Sequence, residues 1–239
     1  MVLDTVKLEY QMKKDEELSY KIRVNSQRET SDQGKVQTDK DVLTLNMTQK
    51  VVAVSSDGIY DLEMNVTPLE LVRNSEPIKL EVQSQSVKLK MSRSGEILAI
   101  SMPSPATQPS FPTKPLRKGE SWIGESKINL PGKADPFILK FNYMLWGLEK
   151  VKGYECAQIQ VSSPETKIPI EEQVTQKVSA VGTTYFAHKE GRLVKSDVET
   201  KTAMDFPGGY VKTLTQIFVE LQEAFVPEAP ADEEFIIKG

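Results

Sequence analysis

Side chains able to transfer protons, attack carbonyl carbons or hold metals are few in this chain. His188 is the single histidine, which excludes a histidine-rich zinc centre and a two-histidine iron triad. Cys156 is the single cysteine, so no intrachain disulfide can form. Cys156 and His188 could together make a nucleophile–base pair, since both lie in the second half on strands able to neighbour each other. The alternative gives both a structural place. Cys156 alternates in phase with Tyr154 and Gln158, opposite the inner row, and His188 stands beside a hairpin tip where a polar residue is expected. Carboxylates are numerous but scattered, with adjacent runs at Glu171-Glu172 and Asp232-Glu233-Glu234. A glycosidase-type pair could be assembled from distant strands, yet solvated faces account for most acidic runs. The sequence contains no phosphate-cradling glycine loop, nucleophile elbow or EF-hand loop. Asn46-Met47-Thr48 and Asn65-Val66-Thr67 match the glycosylation triplet, but inside expected strands. The expectation is a non-enzymatic chain with no catalytic residues, cofactor or metal.

Two tryptophans and one terminal triplet are the candidates for binding. Trp122 and Trp146 could serve as aromatic platforms for a sugar or an apolar ligand, or could bridge sheet layers as core residues. Phe235-Ile236-Ile237 is a compact β-prone triplet following the proline-bearing acidic stretch from Val226 to Glu234. Such a triplet can add to a sheet edge or enter an apolar groove, on its own body or a neighbour's, or simply fray.

The elements that must position these residues are organised by two hairpins. Thr184–Val194 reads as strand, turn, strand with Glu190-Gly191 at its tip; Lys88–Leu98 has the same layout around Ser94-Gly95. Upstream of each lies another matching stretch, Asp57–Val66 and Lys152–Val161. Gly58 and Gly153 are 95 positions apart and Gly95 and Gly191 are 96 apart, which predicts an internally duplicated β-unit.

Period-two alternation predicts strands through Val6–Met12, Leu18–Val24, Leu43–Val54, Tyr60–Val66, Ile78–Val82, Val87–Met91, Phe137–Leu148, Val194–Met204 and Val211–Leu221. Glu172–Val181 is ambiguous, and its β-branched residues favour strand. Gln27–Lys40 reads as a connection or a solvated strand tip. Thr67–Pro77 reads as a loop with a helical turn at Leu69–Val72. Pro103, Pro105, Pro109, Pro112 and Pro115 mark an extended linker crossing the surface between halves. The expected organisation is a first β-unit over 1–102, the proline-rich linker over 103–116, a second β-unit over 117–225 and an acidic extended tail over 226–239. The fold class is all-β and antiparallel, with the two similar units forming a sandwich, half-barrel or barrel-like body.

Composition narrows the partners. Charged residues are 27% and hydrophobic ones 38% of the 239, a globular balance. The formal net charge of −4 gives no general attraction to nucleic acid or anionic membrane. No stretch approaches the roughly 18 apolar residues of a membrane helix. Met1–Thr5 lacks a basic end followed by an apolar run. The chain is therefore expected in the cytoplasm, or in the periplasm or outside the cell if Met1 replaces a removed leader.

Lys118-Gly119-Glu120-Ser121-Trp122, then Tyr143–Val151, Gly153–Ile159 and Tyr185-Phe186 resemble exported bacterial β-proteins catalogued only as domains of unknown function. The similarity covers mainly residues 115 to 200. It implies an all-β, extracytoplasmic protein and assigns no activity or site residue. The functional expectation is a module that binds another protein or itself, or forms part of a cell-envelope assembly. The alternative is a carrier for a lipid or other apolar molecule in a concave sheet.

Overall fold

The computed structural model describes residues 5–80, 84–101, 109–128, 137–171 and 174–225. The acidic tail with Phe235, Ile236 and Ile237, the linker positions 102–108 and Val82 lie outside them. Twelve strands form one antiparallel sheet: β1 (Glu17–Asp32), β2 (Lys35–Val54), β3 (Tyr60–Arg73), β4 (Glu76–Ile78), β5 (Gln85–Met91), β6 (Ile97–Ile100), β7 (Ser121–Ile128), β8 (Phe137–Val151), β9 (Tyr154–Glu171), β10 (Val174–Ala187), β11 (Arg192–Phe206) and β12 (Gly209–Phe225). Their spatial order is β6-β5-β3-β2-β1-β12-β11-β10-β9-β8-β7, with β4 paired to β3, and the sheet does not close. Among the described residues no helix is long and apolar enough to cross a membrane.

Local turn chemistry sets the meander. Asp32 pairs with Lys35, Arg73 with Glu76 and Val151 with Tyr154, leaving two-residue loops in which both residues have positive φ. That geometry matches the right-handed twist of the flanking strands. Gln27–Lys40 is thus a solvated hairpin tip, as one of the two sequence readings had it. The expected helical turn at Leu69–Val72 is instead strand β3 running on to Arg73, because Asn74-Ser75 turns the chain into β4.

The sheet curves, and Tyr10 shows by how much. Tyr60 on β3 and Phe186 on β10 are five strand positions apart, about 24 Å in a flat sheet. Both nevertheless touch Tyr10: the Tyr60 hydroxyl donates to the Tyr10 carbonyl at 2.8 Å, and the Phe186 ring lies edge-on at 5.1 Å. One face is therefore concave. The residues that fill it come from both halves, with Leu62, Leu89, Leu145, Ile159 and Phe186 in one buried cluster.

Two irregular segments plug that concavity. Val6, Leu8, Tyr10 and Met12 are buried in strict alternation, as their pattern predicts, yet they form no ladder. Their only bridge is Val6 to Leu116. The described end of the proline-rich linker also departs from expectation. Instead of crossing the surface, Phe111 and Leu116 enter the core, and Phe111 packs on Tyr10 at 5.3 Å and Phe186 at 4.6 Å. An apolar aromatic leaving water outweighs the cost of ordering a stretch that proline has already stiffened.

The two organising hairpins grip this plug. Tyr10 N–H donates to the Arg93 carbonyl at 2.8 Å, Phe111 N–H to the Ser94 carbonyl at 2.7 Å, and Gln11 N–H to the Gly191 carbonyl at 3.1 Å. Gly95 (φ +85°) and Gly191 (φ +63°) are needed twice over, for their left-handed backbone and for space. A Cβ on Gly95 would stand 2.7 Å from the Tyr10 ring, and one on Gly191 would strike the backbone of Gln11. Gly153 has the same kind of φ, +89°, but open space around it. Replacing it with alanine should cost only the conformational penalty, about 1–2 kcal/mol. Gly95→Ala and Gly191→Ala should lose clearly more, lowering the melting temperature followed by circular dichroism by at least about 4–8 °C. Equal losses at all three glycines would contradict the clamp.

Candidate functional site

The cysteine and histidine do not meet as a catalytic pair. Cys156 is buried with Ala187 and Val194 in a small corner cluster, its Sγ 3.8 Å from the Tyr154 carbonyl. His188 instead lies 3.0 Å from Glu155 Oε1 through Nε2, and the Lys189 ammonium lies 3.4 Å from the same oxygen. The His188 hydrogen bond, then that of Lys189, holds the Glu155 carboxyl below its ordinary range. Burial pushes the Cys156 thiol up to about 11. The thiolate is the reactive form, so native Cys156 should react with an aromatic disulfide reagent at pH 8 at least about 100-fold more slowly than the unfolded chain. A native rate equal to the denatured one would contradict this burial.

The two tryptophans differ in burial and partners. Trp122 is half-buried; its indole N–H donates to the Ser110 carbonyl at 2.7 Å and its ring stacks on Tyr143 at 5.4 Å. It fastens the linker's end to the sheet. Burial raises the Tyr143 hydroxyl to about 12. Trp146 is 49% exposed and stands where the β8–β9 register slips between Leu145 and Gly147.

A buried ion pair closes one end of the concavity. Arg192, at the start of β11, places Nη2 3.1 Å from Glu16 Oε1, and Glu16 also accepts the Lys13 N–H at 2.8 Å. A cleft of about 420 Å³ opens beside the pair. Both signs of charge alternate along it, including Glu9, Lys13, Arg93 and Lys189. The pair ties the turn before β1 to the first residue of β11. Among the described residues no group of three or more histidine, cysteine, aspartate or glutamate side chains could hold a metal ion.

The larger feature is a run of apolar side chains farther along the same concave face. Cross-strand partners share a face, so register defines it. Leu43 pairs with Val24, Val24 with Ile217 and Ile217 with Val198; one row away, Leu45 pairs with Ile22 and Ile22 with Val219. All seven are half-buried. Val198 and Val219 pack against the buried clusters, whereas Ile22, Val24, Leu43, Leu45 and Ile217 belong to none of them. Three strand spacings from β2 to β11 make this floor about 14 Å wide.

Beyond the apolar rows the same face becomes ionic. Asp41 and Asp39 follow Leu43 in phase on β2, and Arg28 pairs with Asp39 across the hairpin. Arg73 meets Asp41 through two contacts, at 2.8 and 3.2 Å, and Arg28 meets Asp39 at 3.3 Å. Hydrogen bonds from Asn74, Gln37 and Arg28 hold the Asp39 carboxyl below its ordinary range. The arrangement is an apolar floor with a charge-paired rim. Sequence reasoning marked Ile22, Val24, Leu43 and Ile217 only as strand residues, because alternation reports which side chains share a face and not whether that face is covered.

No protein-family model and no curated protein matches the chain. A solved structure described by the phrase lipid–protein interactions in lipovitellin is similar to it, with a TM-score of 0.49 and 9% identity. The match covers 93% of this chain and 26% of that one, so the chain spans about a quarter of that protein's length.

Proposed function

We propose that the protein is a non-enzymatic carrier or sensor that holds an apolar or amphiphilic molecule against the floor built from β1, β2, β11 and β12. The observation that carries this reading is the pair of register-aligned rows containing Ile22, Val24, Leu43, Leu45 and Ile217, apolar and outside every buried cluster. Covering five such side chains removes apolar area from water, at about 25 cal/mol per Å². The charged rim at Arg28, Asp39, Asp41 and Arg73 leaves the polar end of an amphiphile near ionic groups and water. A concave floor suits a small guest better than the flat face of another domain. A second reading, docking of another protein, is favoured by β6, the terminal strand among the described residues, on which Ile97, Leu98 and Ile100 are all exposed.

N-phenyl-1-naphthylamine, an uncharged probe that brightens in apolar surroundings, tests the carrier reading. The wild-type protein should bind it and release it on addition of a long-chain fatty acid. Val24→Lys and Ile217→Lys should each weaken probe binding by about tenfold or more, equivalent to 1.4 kcal/mol. Leu214→Lys, on the opposite face of β12 and 39% exposed, should leave it unchanged. Probe binding that survives both floor substitutions would refute the carrier reading.

A further inference from the structure

The ionic rim stops at β1, and along the outer ends of β11 and β12 no described residue of the concave face is charged. On β11 the inward positions beyond the floor are Thr200, Thr202, Met204 and Phe206, while Glu199, Lys201 and Asp205 alternate onto the convex side. On β12 the inward positions are Thr215, Thr213 and Val211, with Lys212 on the convex side. β10 continues the pattern through Ala180 and Val178, with Lys177 on the far side.

Register gathers the hydroxyls of this face into a belt. Ser26 pairs with Thr215 and Thr215 with Thr200; one row farther out, Arg28 pairs with Thr213 and Thr213 with Thr202. All five hydroxyl side chains are half-buried. Thr200 donates to the Thr215 carbonyl at 3.4 Å, whereas Ser26, Thr202, Thr213 and Thr215 make no side-chain hydrogen bond to another described residue. Two residues rise about 7 Å along a strand, so the first row lies about 7 Å from Val24 and Ile217 and the second about 14 Å. Beyond the belt the face is apolar again, where Met204 pairs with Val211. On β2 and β3 the same rows are ionic, but Arg28 with Asp39 and Arg73 with Asp41 already neutralise each other.

We infer that the guest of the apolar floor is an uncharged acylglycerol, whose ester and hydroxyl groups lie on this belt. The inference rests on the carrier reading and names the ligand class for the same site. Each serine or threonine hydroxyl offers one donor and two acceptor positions, which suits ester carbonyls and a free glycerol hydroxyl alike. Apolar side chains on both sides of the belt, Ile217 inward and Met204 outward, suit ester groups with hydrocarbon to either side. A carboxylate or phosphate headgroup is disfavoured, because the cations of these rows are Arg28 and Arg73. Drawing either to an anion would strand Asp39 or Asp41 without its partner, and an anion held against the threonines alone would be desolvated without a counter-charge.

The test displaces N-phenyl-1-naphthylamine from the intact protein with three lipids that share the same pair of octanoyl chains: dioctanoylglycerol, dioctanoylphosphatidylcholine and dioctanoylphosphatidic acid, each below its aggregation concentration. Dioctanoylglycerol should half-displace the probe at a concentration about tenfold or more below either phospholipid. Thr202→Val and Thr215→Val combined remove two hydroxyls while keeping β-branched strand residues. In that double variant the advantage should narrow to about threefold or less, with probe affinity and melting temperature unchanged. Equal displacement by either phospholipid overturns the inference, as does an advantage that survives the double variant. A wild-type protein that binds no probe contradicts the floor itself and the inference with it, whereas probe binding without a glyceride preference contradicts the belt alone.

Discussion

A single-layer sheet has two faces, and an apolar one cannot be left to water. That constraint governs this molecule. Twelve strands in one open sheet bring together too much apolar surface on the concave side for the sheet to cover by curling alone. The chain meets the need with segments that are not strands at all. Val6–Met12 and the end of the proline-rich linker lie in the hollow, and the hairpins at Gly95 and Gly191 hold them there through backbone hydrogen bonds. The aromatic cluster of Tyr10, Phe111 and Phe186 joins plug to sheet with ring centroids 4.6 to 5.3 Å apart. Aromatic packing of this kind adds to plain area burial.

The plug covers only part of the hollow, and the functional proposal grows from that inequality. Near β3 and β9 the concave side chains are buried: Leu62 is 2% exposed and Ile159 fully enclosed at 0%. Farther along β1, β2 and β12 the same face stays apolar, while the side chains are only half-buried. The strands there are long, 16, 20 and 17 residues, so their outer ends extend past the plug. An amphiphile could complete in that region what Tyr10 and Phe111 complete nearer the centre.

Much of the fold was legible in the sequence for a physical reason. Alternation at period two is imposed by the pleat, so Tyr60-Leu62-Met64 and Ala157-Ile159-Val161 announced their inward rows directly. The turn glycines did the same through φ. Two elements were misread because pattern and pairing are different properties. Val6–Met12 alternates like a strand, since it too has one buried side, but its hydrogen bonds go to turns and to Leu116. Proline at 109, 112 and 115 correctly excluded a ladder strand, yet it said nothing of Phe111, whose burial depends on a pocket made by distant residues. The sites were harder. Trp122 and Trp146 look alike in sequence, and only the bulge on β8 and the Ser110 carbonyl separate an exposed indole from a fastening. The apolar floor was invisible for the converse reason: Ile22, Val24 and Ile217 carry the same alternation as true core residues.

The central claim is that an apolar guest completes the concave face, and native mass spectrometry of freshly purified protein tests it most directly. Gentle ionisation should show, beside the bare chain, a species heavier by the mass of a lipid-like molecule. Organic extraction of the same sample should return that molecule in stoichiometric amount. A single bare mass from every preparation, with nothing apolar in the extract and none taken up on incubation with mixed lipids, would contradict the account.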